Sequence, residues 1–330
     1  MGTTVFLGPL HPRHGTHEPT SGTPERAPRS VRRTVTTDML RPDGLEGPLV
    51  LVGSGRDLRT GADGTPVEIG RAAYTAKVDF LGGWILQELT TDPPRPALQS
   101  LTGAGTGSGF RARVLAADPD LPGLLHQLMD DVPVTTLVSG HSYVAGQART
   151  PDGPLNLAGR PAFGRDMCAG FADGGTIMNS FDATGRGPLV TGPPAHPLTT
   201  SDPWAWHELP PLPSHGMRRH RRMDVTESGV DVLFRDSYMD PDGVETLIHE
   251  YTVDVEFDGD RIRSCEATPH ALPWVECPAA VASAGRLAGV PLAGLRTHVR
   301  NTFTGTSTCT HLNDTLRALE DAPFLRDAIA

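Results

Sequence analysis

Lysine is almost absent from this chain. Lys77 is the single example in 330 residues, so Schiff-base chemistry, pyridoxal chemistry and a Walker-type phosphate lysine would all rest on that one residue, which falls in a predicted strand. Cysteine is nearly as scarce: Cys168, Cys265, Cys277 and Cys309 are too few and too scattered for a secreted disulfide framework, and reduced thiols are expected. Nowhere do about 20 consecutive apolar residues occur, and the N-terminus has no apolar signal-peptide core. These absences predict a soluble cytoplasmic protein with no membrane contact. With 29 basic against 39 acidic residues the formal charge is −10, which disfavours a nucleic-acid partner.

Several familiar motifs are also missing. Gly103-Ala104-Gly105-Thr106-Gly107-Ser108-Gly109 lacks the spacing of a dinucleotide fingerprint, and Gly140-His141-Ser142-Tyr143-Val144 lacks the second glycine of a nucleophile elbow. No organic cofactor is implied.

What is present is internal similarity. Setting Tyr74 on Tyr251, a shift of 251 − 74 = 177, aligns Tyr74, Thr75, Val78, Phe80, Gly82, Ile85 and Thr91 with identical residues, seven identities in eighteen ungapped positions. The alternation around a glycine-containing turn predicts a β-hairpin in each half. A shift of 186 places Arg32, Arg33 and Asp38 on Arg218, Arg219 and Asp224, and a shift of 185 places Gly109, Arg111, Val114 and His126 on Gly294, Arg296, Val299 and His311. The order is the same in both halves. The expected fold is therefore α+β: two duplicated strand-rich units with short C-terminal helices, related by a pseudo-twofold axis, a pseudo-dimer within one chain. The expected boundaries are a mobile tail at 1–29, a first, degenerate copy at 30–131, a long connection at 132–215 acting as lid or pocket wall, and a second copy at 216–330 whose similarity runs to about 321.

Cys277-Pro278, Leu287-Ala288-Gly289, Gly294, Val299, and Gly305 through Cys309-Thr310-His311-Leu312 resemble the signature of the bacterial domain of unknown function 2889 family, with Asp43-Gly44-Leu45-Glu46-Gly47 resembling its opening stretch. The resemblance spans about 216–321 and is weaker over 30–131, where Leu124 stands in place of the motif cysteine. Two diverged tandem copies are implied, with no reaction attached.

The chemistry-bearing candidates cluster in the second half. Gly305-Thr306-Ser307-Thr308 precedes a predicted helix from about Cys309 to Glu320, so Cys309 and His311 fall in its first turn. A helix N-terminus favours thiolate and neutral imidazole, making Cys309 a candidate nucleophile and His311 a candidate acid or base. The alternative is a buried apolar cysteine and a satisfied core histidine. Glu276, Asp254 and Glu256 are candidate carboxylate partners, and Asp166, beside Cys168, is a candidate charged anchor in the connection.

Arg218 and Arg219, in the basic run Met217 to Arg222, are candidate substrate-anion grips, and Trp204 and Trp206, beside His207, a candidate aromatic wall. A zinc alternative uses His270, Cys277, Cys309 and His311. His11, His14 and His17 read as incidental tail histidines. The leading expectation is an enzyme of small-molecule metabolism without organic cofactor, a lyase, isomerase or hydrolase. It would act on an apolar organic acid, acyl derivative or terpenoid-like substrate. The rivals are a non-catalytic small-molecule binding protein and a zinc-dependent enzyme or scaffold.

Overall fold

In the computed structural model the described residues are 6–7, 16–149, 164–185, 188–190, 192–198 and 200–329. His11 and His14 lie outside them. A two-residue strand, β1 (Phe6–Leu7), pairs in parallel with another, β6 (Leu189–Val190). All other strands belong to one antiparallel sheet. The first half supplies β2 (Ser30–Leu40), β3 (Leu49–Thr60), β4 (Pro66–Asp79) and β5 (Ile85–Asp92), and the second supplies β7 (Met217–Val225), β8 (Gly229–Met239), β9 (Glu245–Asp258) and β10 (Arg261–Ala271). Their order is β10-β9-β8-β7-β2-β3-β4-β5, so the halves join along β2 and β7 into a continuous eight-stranded sheet. The β4–β5 and β9–β10 hairpins fall where the self-comparison put them.

The helices are α1 (Phe110–Ala117), α2 (Gly123–Val138), α3 (Gly140–Gln147), α4 (Thr176–Thr184), α5 (Leu295–Thr302), α6 (Thr310–Ala318) and α7 (Ala322–Asp327). Leu125, Leu128, Met129 and Val132 of α2 close one apolar core with Val35, Leu51 and Tyr74. Leu312 and Leu316 of α6 close a second with Val232, Phe234 and Tyr251. The expected boundary at 132 falls inside α2, and α3 and α4 lie within the connection that follows. The expectation of a mobile tail needs correction for residues 16–29: Leu272 donates its backbone N–H to Thr16 O at 2.9 Å, Thr20 N donates to Glu250 Oε1 at 2.6 Å, and Arg26 pairs with Asp202 at 2.7 Å. Their backbone polar groups have partners on the sheet and the connection, which a solvated segment would lack.

The β2–β7 seam is unusual because both of its faces are covered, so nearly every residue of the run Met217 to Val225 is buried despite four arginines and a histidine. Alternation sends Met217, Arg219, Arg221 and Met223 to the helix side. There Arg221 donates to both oxygens of Asp131 on α2, at 2.8 and 2.9 Å, and Arg219 pairs with Asp236. On the opposite side Arg218 donates to Asp38 at 2.5 and 2.7 Å and to Pro210 O at 2.7 Å, while Arg32 donates to Asp224 at 2.5 and 2.9 Å and to Pro24 O at 2.9 Å. His207 is held between Thr34 and Thr36, one ring nitrogen 2.9 Å from each hydroxyl, and Trp206 stacks edge-on to His220.

A buried ion pair is near break-even to form but expensive to break, because the orphaned charge stays desolvated. Asp38→Ala should cost about 3–5 kcal/mol in urea unfolding, while Asp38→Leu combined with Arg218→Met should recover most of that loss. Acid should act through a second route. Burial, ahead of nearby guanidinium charges, pushes His207 down to about 3 and His220 well below its ordinary value, and burial with His249 pushes His141 down to about 4. Below pH 6.5 the unfolded chain takes up protons that these folded imidazoles refuse. Their stability contribution is therefore present above pH 6.5 and lost as pH falls toward 4, at about 1.4 kcal/mol per pH unit for each such histidine. Urea titrations from pH 7.5 to 4.5 should show that fall beginning near 6.5, with a smaller slope in His207→Gln; a flat profile down to pH 5 would contradict it.

Candidate functional site

Three side chains converge on the helix side of the second half. Strand register places Arg219 of β7 opposite Asp236 of β8, and Asp236 opposite His249 of β9. The register shifts between Asp236 and Ser237, so a bulge sits beside His249, the device by which a strand re-aims one side chain. From above, the first turn of α6 lowers His311 onto the same spot. Its ring stacks on that of His249 with centroids 3.7 Å apart and planes 21° from parallel. His249 Nδ1 lies 3.5 Å and His311 Nε2 3.7 Å from the same atom, Asp236 Oδ2.

Asp236 is wholly buried and is gripped by Arg219, which donates Nε to Oδ1 at 2.8 Å and Nη2 to Oδ2 at 3.0 Å. Arg219 also reaches Asp314 of α6 at 3.3 Å. Although burial opposes ionisation, Arg219 and the neighbouring imidazoles hold the Asp236 carboxyl far below the usual carboxylate range. His311 is lowered too, with the opposite consequence for charge: burial, then the charge of His249, drives its pKa well below the ordinary imidazole value, so it is neutral at neutral pH. That agrees with the neutral imidazole expected at a helix start. His249 and His311 are 7% and 8% exposed, and His249 Nδ1 and His311 Nε2 make no hydrogen bond. Buried polar nitrogens are normally satisfied, so two orphans facing one carboxylate oxygen mark this as a site.

Cys309 is the N-cap residue of α6, its sulfur 3.9 Å from His311 Nδ1 and accepting a hydrogen bond from the Tyr251 hydroxyl at 3.3 Å. The expected thiolate is corrected: burial outweighs the Tyr251 and backbone donors and pushes the thiol up. Cys309 is thus a polar neighbour of His311 rather than an ionised nucleophile. The zinc set is corrected as well. His270 is engaged by Thr252 at 2.9 Å on β9, and among the described residues the acid, histidine and cysteine ligand atoms that lie within 4.8 Å of one another belong to Asp236, His249 and His311.

The remaining candidates go elsewhere. Glu276 accepts from Thr176 N at 2.8 Å and Thr176 Oγ1 at 2.9 Å, capping α4 beside a cavity of about 400 Å3. Asp166 is an exposed turn residue with φ of 60° that accepts from Asp173 N. The guanidinium groups of Arg218 and Arg219 are committed to Asp38 and Asp236, which leaves neither as an open anion grip. Trp206 donates Nε1 to Thr23 and packs on His220, on the face away from His311, and Trp204 lies exposed under the Arg56 guanidinium. Asp254 and Glu256 are both exposed on β9, and Glu256 pairs with Arg263.

Sequence reasoning missed His249 and Asp236. One signal existed: under the 177 shift His249 falls on Ala72, a gain of function-bearing chemistry in the half that also carries Cys309 and His311.

Residues 217–325 match the family described as "Protein of unknown function (DUF2889)". All three converging residues, and Cys309, lie inside that match, whereas the first half lies outside it. No curated protein and no solved structure matches the chain.

The burial of the thiols yields a simple expectation. Cys168 and Cys265 are both pushed up to about 12 by burial, and Cys277 and Cys309 are also raised. Native protein at pH 8 should release no colour with Ellman's reagent over minutes, and all four free cysteines should react once it is denatured. Prompt reaction of one native thiol, traced by mass spectrometry to Cys309, would restore it as a nucleophile.

Proposed function

We propose that the chain is an enzyme of small-molecule metabolism working without an organic cofactor, a lyase, isomerase or hydrolase whose acid–base group is the stacked pair His249 and His311 on Asp236. One observation carries this reading: two nine-tenths-buried imidazoles point unpaired nitrogens at one carboxylate oxygen that is itself fixed by Arg219. His207, by contrast, has both ring nitrogens engaged, by Thr34 and Thr36. Held neutral by burial, His311 has a free lone pair ready to accept a proton, and the carboxylate 3.7 Å away stabilises the cation that results. Tyr251 and Cys309 order the polar surroundings of that ring. The apolar residues beside it, Phe234 among them, suit an apolar organic acid, acyl derivative or terpenoid-like substrate. The absence of a membrane-crossing helix among the described residues fits a cytoplasmic setting.

The proposal extends to the architecture: two diverged copies paired about a pseudo-twofold axis through the β2–β7 seam. Arg32 and Arg218 are 218 − 32 = 186 residues apart, and so are Asp38 and Asp224, and each arginine pairs with the aspartate of the other copy. Each also donates to a proline carbonyl eight residues before it, Pro24 or Pro210. The strand register is symmetric about Val35 opposite Arg221. Within that scheme only the second copy kept the chemistry. An experimental structure in which no rotation exchanges the two ion pairs would remove the duplication.

The enzyme reading is tested by incubating purified protein with a metabolite extract and following depletion by mass spectrometry, with His311→Ala and His249→Gln alongside. Wild type should convert at least one metabolite, and both folded variants should lose that conversion by about 100-fold or more, the size of an acid–base contribution. Full conversion by His311→Ala would refute the assignment.

A further inference from the structure

We infer that Asp236 Oδ2, His249 Nδ1 and His311 Nε2 form a binding site for one divalent late-transition-metal ion, with zinc the chemically natural occupant. This rests on the convergent triad being the functional centre; an ion there takes the lone pairs that the acid–base reading gives to a proton, so the two are alternative occupants of one centre. The ligand types are two imidazoles and one carboxylate, and their three donor atoms lie within 4.8 Å of one another, with 3.5 and 3.7 Å from the carboxylate oxygen to the two nitrogens. Ligands about 2.1 Å from a common ion stand roughly 3.0–3.6 Å apart, so the set is close to closed around a centre of that size. Both nitrogens are buried and unpaired, the state a ligand lone pair takes when its partner is an ion.

The surroundings select which ion. Arg219 takes up much of the negative charge on Asp236, so hard cations that depend on carboxylate oxygen, magnesium and calcium, gain little here. Two imidazoles favour the borderline metals at the end of the first row. Arg219 is also the outer partner that orients the carboxylate, and the Thr310 hydroxyl, 3.3 Å from His311 Nδ1, engages the ring nitrogen that points away from the ion. The stacked rings must fan apart for each nitrogen to present its lone pair in plane, and that motion is soft because the outer imidazole torsion has no sharp well. Three protein ligands leave at least one position open, the arrangement of a catalytic rather than a structural site. The thiols of Cys277 and Cys309 stay outside this set.

The test uses the full chain, stripped with a chelator and then titrated with cobalt(II) and zinc(II). Expected are one ion per chain by elemental analysis, visible cobalt d–d bands that zinc abolishes, and no comparable binding of magnesium. His249→Ala and His311→Ala should each weaken binding by about 100-fold or more, while Cys277→Ser leaves it unchanged. Should an alanine variant fail to fold by circular dichroism, His249→Gln and Asp236→Asn serve in its place. Absence of stoichiometric metal, an ion retained at full affinity by both histidine variants, or an ion lost with Cys277→Ser would each overturn the site. Because this readout is binding alone, its failure is separable from that of the acid–base reading: conversion by metal-free protein that is lost in His311→Ala removes the metal and keeps the chemistry.

Discussion

Arginine–carboxylate pairing across the β2–β7 seam is the interaction on which the remaining structure depends. A sheet centre covered on both faces would ordinarily be apolar, yet here it contains Arg32, Arg33, Arg218, Arg219, Arg221 and Arg222, each held by at least one aspartate. Such pairs add little net stability, since desolvation nearly cancels attraction, but they are intolerant of misplacement. A two-residue slip of β7 on β2 would bring Arg32 opposite Arg222, or Asp38 opposite His220, in place of the observed Arg32–Asp224 and Asp38–Arg218 pairs. Like charges facing each other across strands without water are costly, so the seam admits one register where Val and Leu would admit several.

That constraint explains which parts of the fold were legible in the sequence. The hairpins and the helix start at Cys309 could be read because their signals are local: period-two alternation, a turn glycine, a polar run before an apolar period. The run Met217 to Arg222 offers candidate anion grips in the sequence because its partners are remote, Asp38 lying 180 positions away and Asp131 lying 90 away from the arginines they bind. Composition cannot distinguish a solvated arginine row from one neutralised by the other half of the chain. The same remoteness hid the site. His311 announced itself at a helix border, but His249 and Asp236 join it only through the β8–β9 register and the bulge beside His249, and neither follows from one sequence.

Residues 16–29 were misjudged for a related reason. Rich in Pro and Thr and without apolar period, they have the composition of a loose segment, yet they lie along the sheet through backbone hydrogen bonds and the Arg26–Asp202 pair. Together with Trp206 and His207 they cover the face opposite the helices. Without that cover Arg32, Arg218 and Arg222 would face water, and the seam would become an ordinary set of screened surface pairs.

The same pairing shapes what the site can do. Arg219 belongs at once to the seam and to the site: it lies beside Thr37 of the first half and grips Asp236 of the second. A lone buried carboxylate beside two imidazoles would draw a proton onto them and rest as an ion pair. With Arg219 already answering that charge, His311 rests neutral, its pKa depressed by burial. Its lone pair is then available to an incoming proton or cation without first being released, in buried surroundings whose dipoles are fixed by ion pairs rather than by reorienting water. The first half has the corresponding arginine, Arg33 on Asp57, but Gly70 stands opposite Asp57 where His249 stands opposite Asp236, Leu124 falls on Cys309 under the 185 shift, and Arg33 is closed off by Asp321. Under the proposed duplication, the difference between the two halves isolates the side chains on which the proposed chemistry rests.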